Sequence, residues 1–305
     1  RDAAEFIGAA IESALGQTFA DLEVIVIDDH STDGSGEIAA AIADPRVRVI
    51  RGAASGVPAS RNFGIEHSRG RYIAFLDADD VWLPENLQRQ LSALENNAAI
   101  DLTFAAAQWI DDAGRPLGRS TVRWNGPVSY EDLLLEFLPV TFSSVIVRAD
   151  CVEKLGGFDT SLKVGTDHEF CLRAALLRRN NVMGIPETLL RYRRRTGQVT
   201  ANARLRAEQW RKLLDKHEQL APVAVNRMRA RATASFQRAI AAIAYDAGEY
   251  ADARRMFADA LRLAPAAMAR DPRSWWTAAA MLCSWLPAGV RVPLEHAGRS
   301  IVGGR

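Results

Sequence analysis

The chain is poor in several things, and each shortage removes a class of function. It has three cysteines in 305 residues, Cys151, Cys171 and Cys283, widely spaced and without a CxxC pair. That set excludes a disulfide framework and a thiolate zinc site, and fits free thiols in a reducing compartment. It has almost no net charge: 38 Lys and Arg stand against 37 Asp and Glu, for a formal charge of +1. A nucleic-acid-binding role therefore gets no support from overall charge. The local basic stretch Arg191, Arg193, Arg194, Arg195 faces either phosphates or solvent. No apolar run is long enough to span a bilayer, and no signal peptide is visible in a chain that opens with Arg1-Asp2. What remains is 48% hydrophobic and 25% charged, an ordinary globular composition long enough for two domains.

The pattern along the chain alternates. Phe6, Ile7, Ala10, Ile11, Ala14 and Leu15 repeat at helical spacing over residues 4–15. Residues 22–27, Leu-Glu-Val-Ile-Val-Ile, read as a strand buried on both faces of a parallel sheet. A helix is expected over 35–43, a strand over 47–50, and a helix opened by Pro58 and closed by Gly70. A strand over 72–76 follows, then a helix from Pro84 to about 96 and a strand over 100–105. Residues 111–142, punctuated by glycine and proline, read as loops over the active-site face. Strands over 143–148 and 189–194 and a helix over 167–177 complete the part. Such alternation indicates an α/β layered domain, with ligands collected at the carboxyl ends of strands.

Both acidic clusters stand at such ends. Asp77-Ala78-Asp79 closes the third strand. Two carboxylates there repel each other, and a hard divalent cation relieves the repulsion. Mn²⁺ or Mg²⁺ held by one or two carboxylates takes its other ligands from water and a diphosphate, so this is a natural nucleotide-diphosphate site. The bland alternative is a solvated acidic turn. Asp28-Asp29 closes the first strand, able to accept from a base or ribose hydroxyl, or to cap the next helix. Arg61 can reach phosphate oxygens or stand as a surface arginine. Gly156-Gly157-Phe158-Asp159 precedes Thr166-Asp167-His168-Glu169. A carboxylate at a helix N-terminus stays ionised and can act as a general base.

In combination these motifs resemble glycosyltransferase family 2. The resemblance rests on Gln17-Thr18-Phe19, Glu23 to Gly34, Ala59-Ser60-Arg61-Asn62-Phe63-Gly64-Ile65, Gly70 to Asp80, Gly156 to Asp159 and Thr166 to Arg173. It covers roughly residues 3–200. It implies a GT-A fold, a Rossmann-like nucleotide-binding sheet with helices on both faces, and an inverting, metal-dependent enzyme. By the same resemblance Asp29 recognises the base and Asp28 supports that pocket. Arg61 lies near the diphosphate. Asp77 and Asp79 hold Mn²⁺ or Mg²⁺, with Asp79 the more direct ligand. Asp167 is the catalytic base, and His168 and Glu169 shape the acceptor side. The donor is expected to be a nucleotide diphosphate sugar, UDP-linked, and the acceptor a glycan or lipid-linked saccharide, in the cytoplasm or at the inner face of the membrane.

The sequence departs from the family pattern in three places. Thr166-Asp167 replaces the usual Glu-Asp. No Gln-x-x-Arg-Trp follows Asp167, which points to a single-addition enzyme rather than a processive one. Arg195 stands where many members have histidine. The family's first strand is expected before Arg1, so the chain reads as lacking it. Rival readings are a sugar nucleotidyltransferase and a non-catalytic interaction module.

Residues 203–305 change character, being rich in Ala, Arg and Leu and nearly free of strand signals. They are expected to form an α-helical region after a domain over 1–202. Gly248-Glu249-Tyr250, Ala253, Phe257, Ala260, Leu261 and Pro265 match half of a tetratricopeptide-like hairpin. Trp275, Trp276 and Trp285 fit either a core-facing helix or a helix lying on a membrane surface.

Overall fold

The computed structural model describes residues 1–52, 56–121, 123–136, 141–195 and 203–286. The chain packs as two units. The first comprises residues 1–130, 138–161 and 166–195; the second comprises 131–137, 162–165 and 196–305. The expected boundary at 202/203 falls outside the described residues.

In the first unit the elements run α1 (Ile7–Leu15), β1 (Val24–Asp28), α2 (Ser35–Ala40), β2 (Val47–Arg51), α3 (Val57–His67), β3 (Tyr72–Ala74), β4 (Val81–Trp82), α4 (Asn86–Asn96), β5 (Leu102–Ile110), β6 (Pro116–Ser120) and β7 (Gly126–Val128). Helix α5 (Tyr130–Glu136) follows and, from Glu131 on, belongs to the second unit. A 3₁₀ turn over Phe142–Ser144 leads into β8 (Val145–Arg148), α6 (Ala149–Leu155), α7 (Thr166–Leu177) and β9 (Val182–Arg193).

The strands form two sheets. β1 and β2 pair in parallel. The other seven form a mixed sheet in the order β3-β8-β5-β9-β4, with β6 on β5 and β7 on β9. The long β5–β9 pair is parallel, and the register shifts near Ala106 as β9 passes Pro186, a residue that cannot donate to a ladder. Leu94, Ile100, Leu102, Ile146 and Leu190 are almost fully buried against this sheet, each contributing about 1.5–3 kcal/mol by burial. Helix α4 supplies Leu87, Leu91 and Leu94 from one stripe, with Gln90 buried among them. Gln90 Nε2 donates to Asn86 Oδ1 and to the Ser144 carbonyl, which compensates the burial of its amide nitrogen.

Three expectations are corrected. β1, expected to be buried on both faces, is half-buried over Val24–Ile27, because it is laddered on one side, by β2. The strand leading to the acidic turn ends at Ala74, two residues before its expected end. Residues 111–142, expected as loops, carry β6, β7 and α5. Edge strands tolerate the proline and glycine that hid them.

In the second unit, besides α5 and the non-helical segment 162–165, the described residues are mostly helical: α8 (Ala203–Leu220), α9 (Pro222–Asp246), α10 (Tyr250–Leu263), α11 (Pro265–Arg270) and α12 (Pro272–Cys283). α9 and α10 pack against each other as a hairpin, turned at Gly248 with φ 80°. No helix among the described residues is long and apolar enough to cross a membrane.

Candidate nucleotide-sugar site

The site assembles around one guanidinium. Arg61, on α3, donates from Nη2 to Asp77 Oδ1 at 2.9 Å and from Nη1 to Asp167 Oδ1. Its carbon Cζ lies 5.1 Å and 5.3 Å from the ring centres of Phe142 and Phe158. These rings belong to an aromatic cluster with Phe75 and Phe170. The cluster desolvates Arg61, while the two carboxylates more than offset that and hold its pKa above the usual value. The acidic turn and the candidate base, far apart in sequence, are thereby joined through one side chain.

The acidic turn is braced from behind. Asp80, unlike its neighbours, points inward and is fully buried. Its Oδ1 accepts from the Arg193 backbone N–H at 2.9 Å. Burial, with the nearby Asp77 charge, raises its pKa well above the ordinary carboxylate value. The Arg193 side chain donates to the carbonyls of Asp79, Asp111 and Asp112 at 2.7–2.8 Å. Ser143 Oγ accepts from the Asp77 N–H, and the Ser143 carbonyl accepts from Trp82 Nε1. The acidic turn is thus tied to β9 and to the 3₁₀ turn before β8.

Asp79 is left facing its partners with a raised pKa, through burial first and the Asp77 charge second. Arg195 Nη1 stands 3.7 Å from its carboxylate. Arg195, the departure from the family pattern, therefore sits beside the expected metal ligand. Among the described residues, no three His, Cys, Asp or Glu converge as a metal cage. Two carboxylates with one disfavouring the charge of the other nonetheless suit Mg²⁺ or Mn²⁺, which keep open positions for water and phosphate. The donor set fits the ion.

Asp28 and Asp29 form a separate pole at the end of β1. They share no hydrogen bond or ion pair with Arg61, Asp77, Asp79 or Asp167. Asp28 Oδ1 accepts from the Ser31 N–H at 3.0 Å. Burial pushes its pKa up, but the Ser31 hydrogen bonds and Arg51 win, leaving it lowered. Gly36 backs it so closely that a Cβ there would lie 2.5 Å from Asp28 Oδ2. Asp29 Oδ2 accepts from the Gly56 N–H at 2.9 Å, fixing the entry to α3. Gln17 is a second fastening: its Nε2 donates to the Leu83 carbonyl and its Oε1 accepts from the Leu87 N–H.

Asp167 lies in the first turn of α7, with Thr166 Oγ1 donating to it at 3.3 Å. His168 and Glu169 are both buried. Glu169 pairs with Arg173 at 2.7 Å, and Arg173 also donates to the carbonyls of Leu155 and Gly157. Glu169 thus braces the glycine turn from inside instead of opening toward an acceptor. Asn62, next to Arg61, clamps the same turn: Nδ2 donates to the Phe158 carbonyl at 2.9 Å and Oδ1 accepts from the Phe158 N–H at 2.7 Å. Asp80 and Asn62 escaped the sequence reading as functional groups, and Arg193, read there as facing phosphates or solvent, instead holds backbone carbonyls. The signal for Asn62 was its adjacency to Arg61.

Residues 1–144 match the family model for glycosyl transferase family 2. The chain is 46% identical over 91 residues to the succinoglycan biosynthesis protein ExoO of Rhizobium meliloti, covering 30% of this chain and 26% of that protein. It is 40% identical over 90 residues to an Escherichia coli protein named UDP-Glc:alpha-D-GlcNAc-diphosphoundecaprenol beta-1,3-glucosyltransferase WfaP, covering 29% and 36%. The chain thus spans about a third or less of the length of these curated relatives. Among solved structures it resembles the mannosyltransferase PcManGT of Pyrobaculum calidifontis in complex with GDP-Man and Mn²⁺, with a TM-score of 0.58 at 18% identity over 92% of this chain and 82% of that one. It also resembles S. aureus TarS 1-349 in complex with UDP, with a TM-score of 0.52 at 17% identity over 86% and 87%. At these identities the likeness shows a shared GT-A fold.

Proposed function

Residues 1–144 belong to glycosyl transferase family 2, and from that premise we propose that the chain is an inverting, single-addition glycosyltransferase using a nucleotide diphosphate sugar. The observation that carries this reading is the Arg61 bridge, which brings the Asp77 carboxylate and the Asp167 carboxylate onto one guanidinium. A diphosphate leaving group and a general base must stand on opposite sides of one anomeric carbon. A bridge between their candidate holders keeps the two within reach of one sugar and so supports this reading.

In this reading Asp28 and Asp29 hold the base and ribose. Asp79 and Asp77 would hold Mn²⁺ or Mg²⁺, which neutralises charge on the leaving diphosphate when bound. Asp167 takes the proton of the acceptor hydroxyl. The acceptor oxygen forms its bond to the anomeric carbon from the face opposite the diphosphate, the bond from that carbon to the phosphate oxygen breaks, and a nucleoside diphosphate leaves. One displacement inverts the centre. UDP is the favoured nucleotide, supported by the UDP-glucose in the WfaP name. The diphosphoundecaprenol in the same name supports a lipid-linked saccharide acceptor, and with it a place at the inner face of the membrane.

The test is calorimetric binding of UDP with and without Mn²⁺, paired with transfer assays across UDP-sugars. Asp79→Ala is expected to remove metal-dependent binding. Asp167→Asn is expected to abolish transfer and spare donor binding. Equal loss of both in Asp167→Asn would remove the base assignment. UDP binding that ignores Mn²⁺ would remove the metal from the reading.

A further inference from the structure

A helix on the surface of a folded unit normally turns its apolar stripe inward. α12 does the reverse. Its inward positions are Ser274, Thr277, Met281 and, just past its end, Ser284, all buried. Two of these hydroxyls satisfy themselves locally, Thr277 Oγ1 donating to the Arg273 carbonyl at 2.9 Å and Ser284 Oγ to the Met281 carbonyl at 2.6 Å, while Ser274 Oγ donates to Met268 Sδ on α11 at 3.5 Å. With that face it packs on α9, α10 and α11.

Outward stand Trp275, Trp276, Leu282, Trp285 and Leu286, with Trp275 67%, Leu282 72% and Trp285 73% exposed. From Ser274 to Leu286 the sequence holds no charged residue. A contiguous apolar face of this kind marks a contact surface.

Charge decides what covers it. Arg254 lies over the Trp285 ring at 4.2 Å and donates to Ser284 Oγ. Arg270 is exposed just before α12. Among the described residues, neither makes an ion pair. Two copies meeting through this face would bring like arginines together across a stripe without carboxylates. An anionic lipid surface meets both features: tryptophan favours the headgroup boundary, and arginine the phosphates.

We propose that the outward face of α12 docks on an anionic bilayer, with Trp275, Trp276, Leu282 and Trp285 entering the headgroup boundary and Arg254 and Arg270 meeting lipid phosphates. The choice of a bilayer rests in part on the lipid-linked acceptor read above. Vesicle binding requires no sugar transfer, so the two readings can fail separately.

The experiment is co-sedimentation of the full chain with phosphatidylcholine vesicles, with and without phosphatidylglycerol. Binding is expected with phosphatidylglycerol, weakened by salt and by its omission. The double variant Trp275→Ser/Leu282→Ser removes two exposed side chains, so its melting temperature should hold. Its vesicle affinity should fall at least about tenfold. No binding to anionic vesicles, or equal binding by the folded double variant, would overturn the proposal. So would a dimer in sedimentation velocity that the double variant abolishes, since a second chain would then be the occupant.

Discussion

Replacing Arg61 by methionine tests the central joint of the site. Methionine keeps the length and an apolar stem beside Phe142 and Phe158, and removes the fork. Two charge-assisted hydrogen bonds are lost, each about 1.5–3 kcal/mol. Asp77 and Asp167 keep 39% and 30% of their side-chain surface exposed, so water partly replaces the guanidinium and the low end applies. The cation–π contacts, about 0.5–1 kcal/mol each, are largely replaced by sulfur–ring contacts of about 0.3–1.5 kcal/mol. The expected net loss is about 2–3 kcal/mol, a fall in melting temperature of about 4–12 °C for a unit of this size. Calorimetric unfolding of the metal-free protein measures it.

The same substitution frees the Asp167 carboxylate to rotate. A positioned general base contributes about 10²–10⁴-fold, and transfer should fall by a comparable factor while the protein still folds at assay temperature. Arg61→Lys separates charge from geometry. A lysine ammonium reaches one carboxylate and cannot fork to both. It should recover much of the stability and little of the rate. An Arg61→Met protein that melts within about 2 °C of the parent would refute the bridge, since even the low end of the expected net loss, about 2 kcal/mol, is a shift of about 4 °C. Full transfer activity in Arg61→Lys would refute its part in orienting Asp167.

Further consequences are open to direct measurement. Gly157 has φ 76° and its Cβ would meet Asn62 Oδ1 at 2.5 Å, so Gly157→Ala should cost about 2–3 kcal/mol, read by denaturant unfolding; a neutral result would dissolve the Asn62 clamp. Asp80→Ala orphans the buried Arg193 N–H and should cost about 1–3 kcal/mol, whereas Asp80→Asn keeps an acceptor and should cost less than half as much; equal losses would contradict this. Asp79 has a raised folded pKa, so ionising it costs stability above that pKa, and the cost disappears as pH falls through it. A metal ion relieves the same cost, so the thermal shift caused by Mn²⁺ should grow with rising pH, and a flat profile from about pH 5 to about pH 7 would count against Asp79 as ligand. Burial pushes the Cys151 thiol up to about 12 and raises Cys171 too, so in native protein a thiol reagent should label Cys283 alone; fast labelling of all three would mean that the core opens.

The candidate poles were legible because abrupt changes are: an apolar run stops at carboxylates both at Asp28-Asp29 and at Asp77-Ala78-Asp79. The alternation of strands and helices was legible for the same reason. β6 and β7 were not, because Pro116, Gly118, Gly126 and Pro127 are breakers in a central strand and harmless at an edge. The Arg61 bridge was hidden by its length in sequence: nothing local says that α3 and α7 approach the same turn.

Asp79 and Asp80 show a finer limit. Two adjacent aspartates look alike in a sequence, yet one lines the site and the other is fully buried beneath it. The difference follows from β4, which begins at Val81 and pairs with Arg191 on β9, drawing Asp80 under the Arg193 amide. The four late arginines carry the matching clue. Arg193 braces the Asp79 carbonyl and Arg195, two residues on, stands by the Asp79 carboxylate. Arg194, between them, points elsewhere and lies over the Trp109 ring at 4.8 Å. A period of two in an extended chain separates these neighbours. A basic stretch read as one patch is therefore two sets: one that builds the acidic turn and one that does not.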